Sequence, residues 1–185
     1  MEILRSAAEY SAGPCVVAMG MFDGVHVGHR ALIRRAGEEA RRMGLPLVVY
    51  TYAEHPLQVL RPQLAPQALT NAQEKARLLG ELGADVVIMN RFTRETAATP
   101  ARTFLRELCG ALQPALIAAG YNHSFGHKGE GNAQLMREMA AELGYKVLIL
   151  EPVEQGGGPV SSSRIRQLLS EGRLREAKAL LGQDE

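Results

Sequence analysis

Two rhythms of apolar positions run along the chain. Short unbroken apolar runs occupy Val16–Met19, Leu47–Thr51, Asp85–Met89, Ala115–Ala118 and Lys146–Leu150. Runs of this length predict strands buried on both faces. Between the first two, Leu32, Ile33, Ala36, Ala40 and Met43 recur at helical spacing, opposite Arg34, Arg35, Glu38, Glu39, Arg41 and Arg42. Gly44 and Pro46 end that helix. Asn71 predicts an N-cap for a helix reaching about Leu82. Thr99 and Pro100 predict the N-cap and first residue of a helix through Leu108. Leu135, Met136, Met139, Ala140 and Leu143 mark another, closed by Gly144. Strands separated by helices imply a parallel sheet covered on both faces, a doubly wound, Rossmann-like α/β fold of about five strands. Ligands in such folds bind beyond the carboxyl ends of the strands.

Three stretches break this rhythm. Residues 53–68 carry Pro56, Pro62 and Pro66 and read as a flap over a site or as a long loop. Gly120–Gly131 is rich in glycine and histidine. Gln155-Gly156-Gly157-Gly158-Pro159 is a link into two short helices, Ser161–Ser170 and Leu174–Leu181.

Bulk properties narrow the function classes. A chain of 185 residues suits one domain with a sizeable core. The 21 basic and 20 acidic residues leave a net charge of +1, so nothing draws the whole molecule to nucleic acid or anionic lipid. Cys15 and Cys109 are far apart in apolar contexts and read as buried thiols of a reducing compartment. The N-terminus shows no signal-peptide pattern, and no apolar run approaches the roughly 20 residues that span a bilayer. The expected location is cytoplasmic, with no membrane partner.

The candidate chemistry gathers after the first strand, in Gly20-Met21-Phe22-Asp23-Gly24-Val25-His26-Val27-Gly28-His29-Arg30. A helix N-terminus carries unpaired N–H groups and partial positive charge, so a strand–turn–helix joint is an anion site. Gly24 and Gly28 lack a Cβ and allow close approach of backbone and ligand. His26 and His29 share one helical face. Zinc is disfavoured, because no Cys or third ligand stands at a familiar spacing. All five histidines (26, 29, 55, 123 and 127) fall in the presumed site segments.

Two further constellations follow. In Tyr121-Asn122-His123-Ser124-Phe125-Gly126, Asn122 both donates and accepts hydrogen bonds, and Tyr121 and Phe125 offer ring faces. The segment is equally readable as a glycine-punctuated turn with two packed aromatics. Ser161, Ser162 and Ser163, followed by Arg164 and Arg166, read as a capped helix start or as a phosphate clamp.

Together with Thr51–Pro56, Leu69-Thr70, Lys75 and Ala177–Gly182, these segments stand in one order that resembles the adenylyltransferase module of prokaryotic FAD synthetases, nucleotidyltransferases related to class I aminoacyl-tRNA synthetases. The likeness runs from about Val16 to Gly182. It implies that the chain is an FMN adenylyltransferase, moving AMP from MgATP to FMN with release of pyrophosphate. It implies catalytic roles for His26, His29, Asn122, Ser162 and Arg164. It implies ATP contacts from Gly20, Phe22, Asp23, Gly24, Gly28, Ser161, Ser163 and Arg166, and FMN contacts from His55, Tyr121 and Phe125. Asp23 is left as either a metal contact or an organiser of the turn, and no protein metal ligand is assigned. The family usually has Pro where Glu54 stands and Phe where His123 stands, both on the flavin side. Bacterial members usually continue into a riboflavin kinase domain. Residues 1–185 are therefore expected to be one adenylyltransferase domain, stand-alone or excised, with a flap at 53–68 and a helical segment at 161–182. Its FMN would come from a separate riboflavin kinase. The rival readings are a nucleotidyltransferase with another acceptor, a non-catalytic nucleotide or flavin-binding regulator, and a nucleic-acid module.

Overall fold

The structure is a computed structural model, and it describes residues 1–183. Six strands form one parallel sheet: β1 Glu2–Leu4, β2 Cys15–Met19, β3 Leu47–Tyr52, β4 Val86–Asn90, β5 Pro114–Gly120 and β6 Lys146–Leu150, in the order β1-β4-β3-β2-β5-β6. The apolar runs become β2 to β6: β2 and β3 gain one residue and β5 three, β4 is shifted by one, and β6 is unchanged. The sheet has a sixth strand beyond the expected five. β1 is a three-residue edge element paired to β4, with Glu2 opposite Val86 and Leu4 opposite Ile88.

Every residue of β2 is buried, as a central strand covered on both faces requires. Its side chains alternate between two cores. Cys15, Val17 and Met19 join Leu105, Leu108 and Leu112 of helix Ala101–Leu112, with Met136 and Met139 of helix Ala133–Leu143. Val16 and Ala18 join Leu32, Ile33, Ala36 and Ala40 of helix Val27–Met43 and Leu79 of helix Ala72–Glu81. In chain order the helices are α1 Val27–Met43, α2 Pro56–Leu60, α3 Ala72–Glu81, α4 Arg94–Ala98, α5 Ala101–Leu112, α6 Ala133–Leu143, α7 Ser162–Ser170 and α8 Leu174–Leu181. The last two close a small third core from Ile165, Leu168, Ala177 and Leu180, with Leu69 packed against it.

The caps follow their chemistry, with one correction. Asn71 caps α3 and accepts from the Glu74 N–H at 2.8 Å. Thr99 does not open α5. It closes α4, and its hydroxyl donates to the Glu95 carbonyl at 3.1 Å. Pro100 takes the cap position of α5, and the Ala101 N–H donates instead to the Glu130 carboxylate at 2.8 Å. A carboxylate suits that partly positive helix end better than a hydroxyl, and it ties the loop after β5 to α5. The 53–68 segment is more ordered than a plain loop, holding α2 and a short 3-10 turn at Pro62–Leu64.

Strand order reverses at β2, since β3 and β5 flank it and lead in opposite directions. The crevice beyond the carboxyl ends of β2 and β5 is therefore where a ligand of this fold sits. Leu105 is fully buried at the centre of α5. Leu105→Ala should cost about 2–5 kcal/mol, read as a fall in the urea midpoint at unchanged m-value.

Candidate active site

A cavity of about 580 Å³ opens in that crevice, within the range of small-molecule and cofactor sites. Its floor is the turn after β2. Phe22 and Val25 have positive φ, 50° and 40°, in the left-handed region that a β-branched valine seldom visits. Backbone strain of this kind persists where surrounding packing enforces it, and it clusters at functional sites. Gly24 has φ 79°, and a Cβ there would meet Leu69 Cδ1 at 2.9 Å. The glycine is needed for the flap's end to seat on the turn, and Gly24 itself does not line the cavity. A Cβ at Gly28 would meet the His26 ring at 3.2 Å.

That close approach fixes the histidines. His26 is the N-cap of α1, and its Nδ1 accepts from the His29 N–H at 3.3 Å. With Nδ1 an acceptor, the neutral ring carries its proton on Nε2. The His26 and His29 rings stack with centroids 3.6 Å apart, and Phe22 meets His29 edge-on at 5.2 Å. Burial depresses the His26 pKa to about 4. Burial, then His26 and Lys75, hold His29 well below the usual imidazole range. Both rings are thus neutral hydrogen-bonding groups at pH 7. His29 Nδ1 is sealed from solvent with no hydrogen-bond partner among the described residues. An unsatisfied buried polar atom calls for a partner, and its residue lines the cavity.

Most of the expected residues converge on this cavity. Gly20, Phe22, Asp23, His26, Gly28 and His29 reach it from the turn. His55, Tyr121, Asn122 and Phe125 reach it from the flap and the loop after β5. Ser161, Ser162, Ser163 and Arg166 reach it from the start of α7. Arg164 does not. Its guanidinium donates to the carbonyls of Gln155 at 2.7 Å and Gly158 at 2.8 Å, and to that of Gly156. In this structure the Arg164 side chain holds the 155–159 turn, whereas the sequence reading places it on the phosphates. His127 also lies outside the cavity, its Nδ1 against the Ala97 carbonyl at 3.2 Å. The Asp23 carboxylate accepts from the Leu69 and Thr70 N–H groups at 2.9 and 3.3 Å and pairs with Arg166.

One feature escaped the sequence, and a second was legible there only as part of the family resemblance. An aromatic chain lines one wall: Tyr50 and Tyr52 from β3, Phe92 after β4, and Phe104 on α5, with neighbouring ring centroids 5.1–6.1 Å apart. Phe104 continues it to Phe125 at 5.5 Å, and Phe125 to His123 at 5.8 Å. The second is Lys75, only 3% exposed, whose Nζ donates to the Tyr52 carbonyl at 2.8 Å. Burial lowers its pKa, and the Asp23 carboxylate opposes that shift. Lys75 also borders a smaller cavity of about 300 Å³, with His55, Glu54 and Thr70.

Neutral imidazoles at a helix start, beside a serine-capped second helix and an aromatic wall, suit a polyphosphate joined to planar rings. Comparisons with known proteins agree. The fold resembles a pantoate-beta-alanine ligase structure from Francisella tularensis, with a TM-score of 0.60 at 18% identity, covering 100% of this chain and 80% of that one. The two share a parallel-sheet α/β fold. The FAD synthetase family model matches residues 8–164, and the chain belongs to that family of nucleotidyltransferases. The bifunctional riboflavin kinase/FMN adenylyltransferase of Escherichia coli (strain K12) is 36% identical over 186 residues, covering 98% of this chain and 59% of that protein. A putative bifunctional riboflavin kinase/FMN adenylyltransferase of Geobacillus thermodenitrificans is 36% identical, covering 90% of this chain and 89% of that protein. A solved Streptococcus pneumoniae structure described as a macrolide-efflux protein superposes with a TM-score of 0.84 at 30% identity, covering 97% of this chain and 59% of that one. Among the described residues, no helix is long and apolar enough to cross a membrane.

His123 gives a pH test of this environment. Burial lowers its pKa from 6.5 to about 4. The unfolded chain therefore binds more protons than the folded one between those values, and stability falls as pH drops through that window. The His123→Phe variant should show a flatter stability–pH curve from pH 6.5 to 4 in urea melts. An unchanged slope would contradict the buried, neutral ring.

Proposed function

We propose that the chain is an FMN adenylyltransferase, transferring AMP from MgATP to FMN to form FAD and pyrophosphate. The observation that carries this reading is the stacked, neutral His26–His29 pair at the N-terminus of α1, facing an aromatic wall across one cavity. A terminal oxygen of the FMN phosphate attacks the α-phosphorus of ATP in line. The new P–O bond forms as the bond to the bridging oxygen of pyrophosphate breaks, and pyrophosphate leaves with those electrons. Such a transfer needs positioning and charge stabilisation more than a covalent nucleophile. Cys15 and Cys109 fit that, with burial raising both thiols to about 11.

His26 Nε2–H donates to phosphate oxygens, and His29 stabilises charge developing on the transferred group. The serines that open α7 bind the outer phosphates through hydroxyl and N–H groups. Asn122 positions the FMN phosphate, and the flavin lies against Tyr121, Phe125 and the aromatic wall. Mg²⁺ arrives with ATP. Asp23 is engaged with the Leu69 and Thr70 N–H groups and with Arg166, so the ion would be held mainly by the phosphates it accompanies, where it would neutralise developing charge. The described chain is then the adenylyltransferase module, working in the cytoplasm on FMN supplied by a riboflavin kinase.

Incubation with Mg²⁺, ATP and FMN should yield FAD and pyrophosphate by chromatography, with riboflavin or CTP giving no product. His29→Ala should lower kcat by about 10²-fold or more, the scale for losing one preorganised donor to a developing charge. Folded protein that binds ATP yet makes no FAD would overturn the assignment in favour of another acceptor.

A further inference from the structure

Ser162 and Arg166 stand four residues apart on α7, so they share a face. That face is turned onto Asp23. The Ser162 hydroxyl donates to the Asp23 carbonyl at 3.0 Å, and the Arg166 guanidinium pairs with the Asp23 carboxylate. The Arg166 Nε donates to the Gln67 carbonyl at 2.7 Å. From the end of the flap, Leu69 and Thr70 donate their N–H groups to the same carboxylate, and the Thr70 hydroxyl accepts from the Gly24 N–H at 3.1 Å. Three segments far apart in sequence thus meet at one aspartate: the phosphate turn, the flap end and the helix that opens with serines.

We propose that Asp23 is a positioning residue that holds the flap and α7 in register with the phosphate turn, and that it does not ligate the metal. This rests on the proposed use of MgATP and FMN, and adds what sets the two substrates' geometry relative to each other. Asp23 is 8% exposed, and Arg166 is its ionic partner. A partly buried, charge-assisted pair of this kind loses much more when one partner is removed than an exposed pair does. The flap's other end is tied at Tyr52 by Lys75, so flap placement depends on charged groups at both ends. If Asp23 loosens, His55 on the flap and Ser161–Ser163 on α7 lose their common reference together, so both substrates should be affected.

The test compares Asp23→Asn, Arg166→Met and the double variant by amide exchange and steady-state kinetics. Asparagine keeps an oxygen for Leu69 and Thr70 but breaks the ion pair, so folding is preserved. Both single variants should speed exchange at Leu69 and Thr70, whose N–H groups donate to Asp23. Each should lower kcat/KM for ATP and for FMN by at least about tenfold, the scale for a charge-assisted hydrogen bond. The double variant should be no worse than the worse single one, and the Mg²⁺ concentration for half-maximal rate should not move. A rise in that Mg²⁺ requirement for Asp23→Asn alone, with exchange at Leu69 and Thr70 unchanged, would overturn the proposal and make Asp23 a metal ligand. Unchanged exchange and kinetics in both single variants would also overturn it. Exchange is read without turnover, so the absence of FAD formation would sink the acceptor assignment and leave this test standing.

Discussion

The carboxylate of Asp23 is the joint on which the site depends. A parallel sheet can place loops at one edge, but it cannot fix them relative to one another, because each loop leaves a different strand. Here one buried anion accepts from the backbone of the flap and from a guanidinium on α7, while its own backbone belongs to the phosphate turn. Gly24 makes this contact sterically possible, since any Cβ would strike Leu69. The small core of Ile165, Leu168, Ala177 and Leu180 then anchors α7 and α8 against that same Leu69.

Electrostatics around this joint explains how neutral histidines serve a phosphate site. Arg166 and Lys75 bring two positive charges near one carboxylate, so a positive surplus remains for an anionic ligand. The imidazoles need not be charged: burial holds both below their ordinary range, and His26 and Lys75 add to this at His29. They act as directed hydrogen-bonding groups whose orientation is set by the cap, by stacking and by the Phe22 edge. In the proposed reading the planar rings lie against the other wall, where rings from β3, α5 and two loops adjoin.

Legibility in the sequence followed how local each feature is. Strands β2 to β6 were readable because burial on both faces forces unbroken apolar runs. β1 was not, since an edge strand of three residues with Ile3 exposed leaves no such run. The histidine turn was readable because glycines, cap and helix lie within eleven residues. The aromatic wall was hidden, since Tyr52, Phe92 and Phe104 meet only once the sheet forms. Lys75 looks like a polar helix position, and its burial follows from the Tyr52 carbonyl and Asp23, both remote in sequence. Arg164 and Arg166 could not be told apart by composition. Two residues apart on a helix they face different ways, so one grips the 155–159 turn and the other Asp23.

The central claim, that a nucleotide's phosphates lie on the β2 turn, is tested most directly by a crystal structure with Mg²⁺ and a non-hydrolysable ATP analogue. The account predicts the triphosphate across His26, His29 and the serine start of α7, with the Asp23 carboxylate still on the Leu69 and Thr70 N–H groups and the metal on phosphate oxygens. A triphosphate bound away from both histidines, with the His26–His29 stack unchanged beneath solvent, would contradict it.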